Sequence, residues 1–131
     1  MGYLSKKYIG YAFIIIGLAV VLGAFGAHII QPKLSEKYFA TYETANFYHF
    51  IHGLGIVAAV LALDRIGSEK ITTIFILFST GILLFSGSLY ILSFNELLNM
   101  PVLKMLGAIT PIGGILFILA WGLSGLELLR Q

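Results

Sequence analysis

The side chains best suited to chemistry in this sequence are three histidines, His28, His49 and His52. Imidazole titrates near neutral pH and ligates zinc, copper or iron. His49 and His52 stand three apart, so a helix lets both point at one ligand, and Glu43 supplies an oxygen donor nearby. The same stretch, Thr41 to His52, also holds Tyr42, Asn46 and Tyr48. On a helix turning about 100° per residue, Tyr42, Asn46, His49, His52 and Tyr48 share one broad side, with Glu43 just beyond its Asn46 edge. No HExxH or EF-hand pattern accompanies the histidines, and scattered histidines commonly serve structural or interfacial roles. A metal or haem site on His28, His49 and His52 is therefore an alternative reading, and no cofactor is expected.

These residues must be positioned by a very apolar chain. It has 131 residues, 59% hydrophobic and 11% charged, with a mean hydropathy of +0.97. So few charges cannot cover a water-soluble domain of this size, which points to an integral membrane protein. The net charge of +2 includes no basic cluster larger than Lys6-Lys7, which excludes a nucleic-acid partner. The absence of cysteine excludes disulfides, thiolate metal sites and covalent haem attachment.

Four apolar runs follow in order, and residues 1–131 read as one four-span domain. The first extends from Tyr8 to about Ile30. It is longer than the roughly 7–15 residues of a signal-peptide core, so it reads as a retained helix, with cleavage near Ala24-Phe25-Gly26 the alternative. Ala19, Gly23 and Ala27 recur at every fourth position, a stripe that lets helices approach closely. Gln31-Pro32 ends the run, and Ser35 is a suitable N-cap for a new helix. Glu36 to Thr44 mixes charge with Tyr38, Phe39 and Tyr42, as expected of a short interfacial helix, either separate or running on into the second span. The second span covers about Ala45 to Leu63. The short charged turn Asp64–Lys70 makes the third span, about Ile71 to Leu92, its antiparallel neighbour. The fourth runs from about Lys104 to Leu126. Within it Pro111 is expected to kink the helix or to leave a carbonyl near Gly107 without a donor, and Trp121 is expected toward the far interface. The fold class is thus all-α, an integral membrane four-helix bundle with a short interfacial helix between helices one and two.

Four crossings put both termini on one side. That side carries Lys6, Lys7, Arg65, Lys70 and Arg130, against Lys33, Lys37 and Lys104 opposite, which favours cytoplasmic termini in a bacterial cell membrane. The same parity gathers the end of span one, the start of two, the end of three and the start of four at one face. A polar cluster of His28, Glu43, Asn46, Tyr48, His49, His52, Ser86, Ser88, Tyr90 and Thr110 is expected there. Ala19, Gly23, Ala27, Gly87, Gly113 and Gly114 are the expected helix-packing positions. Ionisable residues inside a membrane are functional candidates, while hydrogen-bonded glue between helices is the structural alternative.

Leu22 to His28, Tyr42 to Ala45 with Tyr48 and His52, Leu84 to Tyr90, and Thr110 to Gly114 with Trp121 resemble the family called Domain of Unknown Function 423. These are small bacterial membrane proteins, YwdK-like and YgdD-like, and eukaryotic transmembrane protein 256 is similar. The resemblance covers nearly the whole chain. It implies four membrane helices and supplies no reaction. On the family pattern His28, Glu43, Tyr48, His52, Ser86, Ser88 and Tyr90 fall on motif positions, whereas His49 departs from it, which weakens any mechanism that needs His49. No nucleophile–base–orienter trio, catalytic carboxylate pair or phosphate loop is evident, so no enzyme is expected. The reading that asks least is a structural or assembly module that binds lipid or other membrane subunits, or a second copy of itself. An oligomeric small-solute or proton pathway is the alternative, through glycine-rich and proline-broken helix ends.

Overall fold

The computed structural model describes residues 1–130, with side chains at all of these except residues 101–104. Every regular element among them is helical. Helix α1, Tyr3–Phe25, continues through a π turn at Gly26–Ile30 and a single 3-10 turn at Gln31–Lys33. Helix α2, Glu36–Arg65, is unbroken. The third span is α3, Ile71–Gly81, then a π turn at Ile82–Ser86, then α4, Gly87–Ser93. A short α5, Asn95–Leu98, and a 3-10 stretch, Pro101–Ala108, lead into α6, Thr110–Leu129. Four of these stretches are long and apolar enough to cross a membrane: Tyr3–Lys33, Glu36–Arg65, Ile71–Ser93 and Met105–Leu129.

Two expectations are corrected by these boundaries. Among the described residues, no separate interfacial helix stands between the first and second spans. Nothing between Ser35 and Asp64 breaks a helix, and Ser35 is the N-cap residue of one 30-residue rod. At 1.5 Å per residue α2 is about 45 Å long, against about 30 Å of hydrocarbon. Its first turns therefore stand in the headgroup zone as part of the second span. Pro111 does not kink a helix, because α6 begins at Thr110 and places the proline in its first turn. The missing N–H is one that no intrahelical carbonyl would have received.

Parity is as the topology requires. At one end the Gly2 amide and the Ser5 hydroxyl both donate to the Asp64 carboxylate, at 3.0 and 2.6 Å, and Ser68 Oγ donates to Glu127 at 2.9 Å. That end gathers both termini and the α2–α3 turn. At the other end the Ser35 amide donates to Glu96 at 2.8 Å, tying together the two remaining connections.

The α1–α2 pair keeps one register along its length. Gly26 faces Tyr42, Gly23 faces Asn46, Ile16 faces Gly53, and Ser5 reaches Asp64. The residue numbers of each pair add to 68 or 69, as two straight antiparallel helices in a fixed register demand. The larger apolar cluster lies in the half of the bundle nearer the termini, and a second, of Ile30, Leu34 and Tyr42, lies at the opposite end. Ile9, Ala12, Ile56, Val60, Leu63, Ile74, Phe78 and Ala120 pack in the larger one, and Tyr8 stacks on Phe75 with ring centroids 4.3 Å apart.

Candidate functional site

The polar residues of α2 span about 160° of its circumference, from Tyr48 through His52, His49 and Tyr42 to Asn46, at about 100° per residue. An arc that wide meets more than one neighbour, and the structure divides it in two.

On the Tyr42–Asn46–His49 side, α2 bonds to α1 and α4. Tyr42 Oη donates to the Leu22 carbonyl at 2.7 Å. Asn46 Nδ2 donates to the Ala19 carbonyl at 2.7 Å and to Tyr90 Oη at 2.9 Å. Tyr90 Oη lies a long 3.4 Å from His49 Nδ1. The two accepting carbonyls have a common local cause. Helical side chains tilt toward the N-terminus, so the residue four positions on screens a carbonyl from the side. Four positions after Ala19 and Leu22 stand Gly23 and Gly26, and neither screens anything. A Cβ on Gly23 would lie 2.9 Å from Asn46 Oδ1, and one on Gly26 would overlap the Tyr42 ring. The two glycines are ports through which α2 side chains reach the α1 backbone.

On the Tyr48–His52 side, α2 faces α6 and the third span. The His52 ring stacks on Phe117, centroids 3.4 Å apart and planes 10° apart. Tyr48 packs on Phe85 at 4.5 Å, and Trp121 meets Phe78 edge-on at 5.0 Å. His52 Nδ1 sits 2.8 Å from the Tyr48 carbonyl. A Cβ on Gly113 would collide with the Phe85 backbone, so the π turn at Ile82–Ser86 and α6 touch main chain to main chain. One turn further along, Ser88 Oγ and Thr110 Oγ1 share a hydrogen bond of 2.7 Å.

The ten residues expected as one cluster thus occupy distinct places. Asn46, His49 and Tyr90 form one network, joined by Tyr42. Tyr48 and His52 belong to the aromatic set on the other flank of α2, and Ser88 pairs with Thr110. Ser86 is fully buried, with no hydrogen-bond partner for its hydroxyl among the described residues. His28 and Glu43 are solvent- or lipid-exposed and join none of these sets. Glu43 lies beyond the arc and lines the α1–α2 groove, and His28 is an exposed residue of the π turn after α1. The three histidines therefore face three different surroundings, and no described group of three His, Asp or Glu residues is placed to hold a metal ion.

Of the expected packing positions, Ala19 and Gly113 are buried in contacts and Gly23 meets Asn46. Ala27 is exposed, a Cβ on Gly87 would reach only Leu83 at 4.0 Å, and one on Gly114 would make ordinary contact with Phe85 at 3.8 Å. Trp121 is partly exposed. It lies two turns before the end of α6 and covers Gly55, where a Cβ would come within 2.8 Å of its ring. Gly26, Gly53, Gly55 and Gly81 are further close-contact glycines outside that set.

Among the grooves between helices, two flank α2 on opposite sides. One, about 390 Å³, runs between α1 and α2 past Gly23, Gly26, Ala27, Phe39, Glu43 and Phe47. The other, about 470 Å³, lies on the opposite flank of α2, against α6, and is lined by Tyr48, His52, Phe85, Phe117, Ile118 and Trp121.

Residues 22–114 match the model of the family described as Protein of unknown function (DUF423). The chain belongs to this family. It is 44% identical to the UPF0382 membrane protein YwdK of Bacillus subtilis over 115 residues, 83% of this chain and 89% of the relative. It is 43% identical over 114 residues to the UPF0382 membrane protein SSP2132 of Staphylococcus saprophyticus, again 83% and 89% of the two chains. The UPF0382 membrane protein SAB0533 of Staphylococcus aureus is 41% identical, covering 83% of this chain and 88% of the relative. No solved structure matches. With four helices able to span a membrane and relatives named as membrane proteins, this family member is a polytopic membrane protein.

Proposed function

We propose that the chain is a non-enzymatic assembly module of the bacterial cell membrane, binding a transmembrane helix of another subunit along the α1–α2 groove. One observation carries this reading: at its headgroup end the groove presents Glu43, exposed and without an ion-pair partner among the described residues, beside a wall of Gly23, Gly26 and Ala27. Glycine and alanine let a partner backbone come close. A carboxylate at that depth selects a helix carrying Lys or Arg at the same level, where its charge is only partly screened by water. The hydroxyls of Tyr42, Ser88, Ser93 and Thr110 are bonded to carbonyls or to one another. Internal polar groups used in this way suit a scaffold better than a reaction centre.

The test is a photo-crosslinking side chain at Phe47, on the groove wall, in the native membrane. A discrete crosslinked membrane subunit is expected, and Glu43→Lys should abolish it. No crosslinked subunit, or one indifferent to Glu43→Lys, refutes the reading.

Both termini are proposed to be cytoplasmic. The support is the excess of Lys and Arg at the end holding Lys6, Lys7, Arg65, Lys70 and Arg130. Because the chain has no cysteine, single cysteines report sidedness cleanly. In intact cells an impermeant maleimide should label Lys37→Cys and leave Lys70→Cys unlabelled. The reverse pattern overturns the orientation.

A further inference from the structure

We propose that the α2–α6 groove is a binding site for a membrane quinol, an aromatic diol on an apolar tail, held by a hydrogen bond from its hydroxyl to His52 Nε2. The site lies on the opposite flank of α2 from Glu43, and the proposal stands apart from the assembly reading.

The argument starts from one proton. His52 Nδ1 is 2.8 Å from the Tyr48 carbonyl, and a carbonyl only accepts. The proton is therefore on Nδ1, and Nε2 of the neutral ring carries a lone pair. His52 is 6% exposed, and no hydrogen bond joins its Nε2 to any described residue. The ring lines the groove. Nδ1 is turned back to its own helix, and Nε2, without a partner among the described residues, is not sealed off from the groove.

Depth makes this acceptor unusual. Counted from Leu63, His52 lies about 16 Å up the helix axis, near the middle of about 30 Å of hydrocarbon. Acyl chains donate nothing there, and an unsatisfied polar group in hydrocarbon is costly. What satisfies Nε2 must dissolve in the membrane and carry a donor.

The walls narrow the class further. Tyr48, Phe85, Phe117 and Trp121 present ring faces and edges, and Gly114 leaves the α6 side low. Aromatic walls favour a flat aromatic head, and about 470 Å³ is in the size range of small-molecule sites. A quinol supplies both the ring and the hydroxyl donor. The oxidised quinone offers only carbonyl acceptors, which face the Nε2 lone pair unfavourably. The site should therefore discriminate redox state by binding alone, with no electron transfer required.

The experiment is calorimetric titration of the purified full chain in nanodiscs with a short-tail benzoquinol kept reduced, and separately with its quinone. The wild type should bind the quinol at least about tenfold more tightly than the quinone, as one buried hydrogen bond implies. His52→Phe keeps a ring against Phe117 and should bind both forms equally weakly. Ile118→Trp changes a lipid-exposed groove residue outside the core. It should fold normally and lose quinol binding, so the proposal stays testable even if His52→Phe fails to fold. No quinol binding by the wild type, equal affinity for both forms, a preference surviving in His52→Phe, or unchanged binding in Ile118→Trp each overturns it.

Discussion

Gly26→Ala is the sharpest test of how α1 and α2 are joined. A single methyl at this position would overlap ring carbons of Tyr42. Tyr42 is 2% exposed and packs edge-on against Tyr90 and Phe94, with centroids 5.0 and 6.2 Å away. Pushing the ring away from Gly26 disturbs those contacts. Overpacking of this kind costs about 1–3 kcal/mol. Displacing the ring also breaks the 2.7 Å bond from Tyr42 Oη to the Leu22 carbonyl, and stranding a buried hydroxyl adds about 1–3 kcal/mol. Better helix propensity returns about 0.5–1 kcal/mol. The net expectation is a loss of about 1–5 kcal/mol. The assay is reversible unfolding in mixed detergent micelles, read by circular dichroism. Gly17→Ala serves as control, since nothing lies within 4 Å of a Cβ there, and it should be neutral or slightly stabilising. Tyr42→Leu is destabilising alone, but combined with Gly26→Ala it should cost less than the two losses added, because the methyl gains room. If Gly26→Ala behaves like Gly17→Ala, or if the double variant is strictly additive, the port account of the α1 glycines is wrong.

Other positions carry shorter predictions. Gly113→Ala should destabilise more than any other Gly→Ala change, because the methyl meets Phe85 backbone rather than a side chain that can rotate. Gly114→Ala, with 3.8 Å to the nearest atom, should stay within about 1 kcal/mol of wild type in the same unfolding assay. Asn46→Leu removes two interhelical hydrogen bonds and should cost about 1–2 kcal/mol, with the loss of coupling seen as a smaller combined effect when Tyr90→Phe is added. Pro111→Ala should change stability by less than about 1 kcal/mol, since the proline occupies a first-turn position; a large loss would restore the kinked-helix expectation.

What the sequence disclosed and what it hid divide along a physical line. Span number and parity follow from long apolar runs and short polar connections, which report free energies summed over some 20 residues. They placed the end of span one beside the start of span two without any contact information. The composition of the candidate site was legible for the same reason: a polar arc entering an apolar helix is visible from periodicity. The number of neighbours that arc meets was not legible, because a helical wheel gives angles and no partners. Tyr48 and His52 therefore separated from Asn46 and Tyr90 only when the positions of α1 and α6 were known. Of the two outcomes expected of Pro111, the kink does not occur, because its effect depends on where α6 starts, and a 3-10 stretch ahead of a helix leaves no mark that an apolar run would reveal. The glycine stripe misled in a more informative way. Counting every fourth residue chose Ala27, which is exposed, and passed over Gly26, which Tyr42 covers. A better signal was present. Gly23 and Gly26 are three apart, Asn46 and Tyr42 are four apart in the opposite order, and a helix pair of constant antiparallel register must bring such sets together. Read that way, small residues in α1 forecast polar side chains of α2 rather than another helix. The same logic asks of any glycine in a membrane helix which carbonyl, four residues earlier, it leaves open and what reaches it.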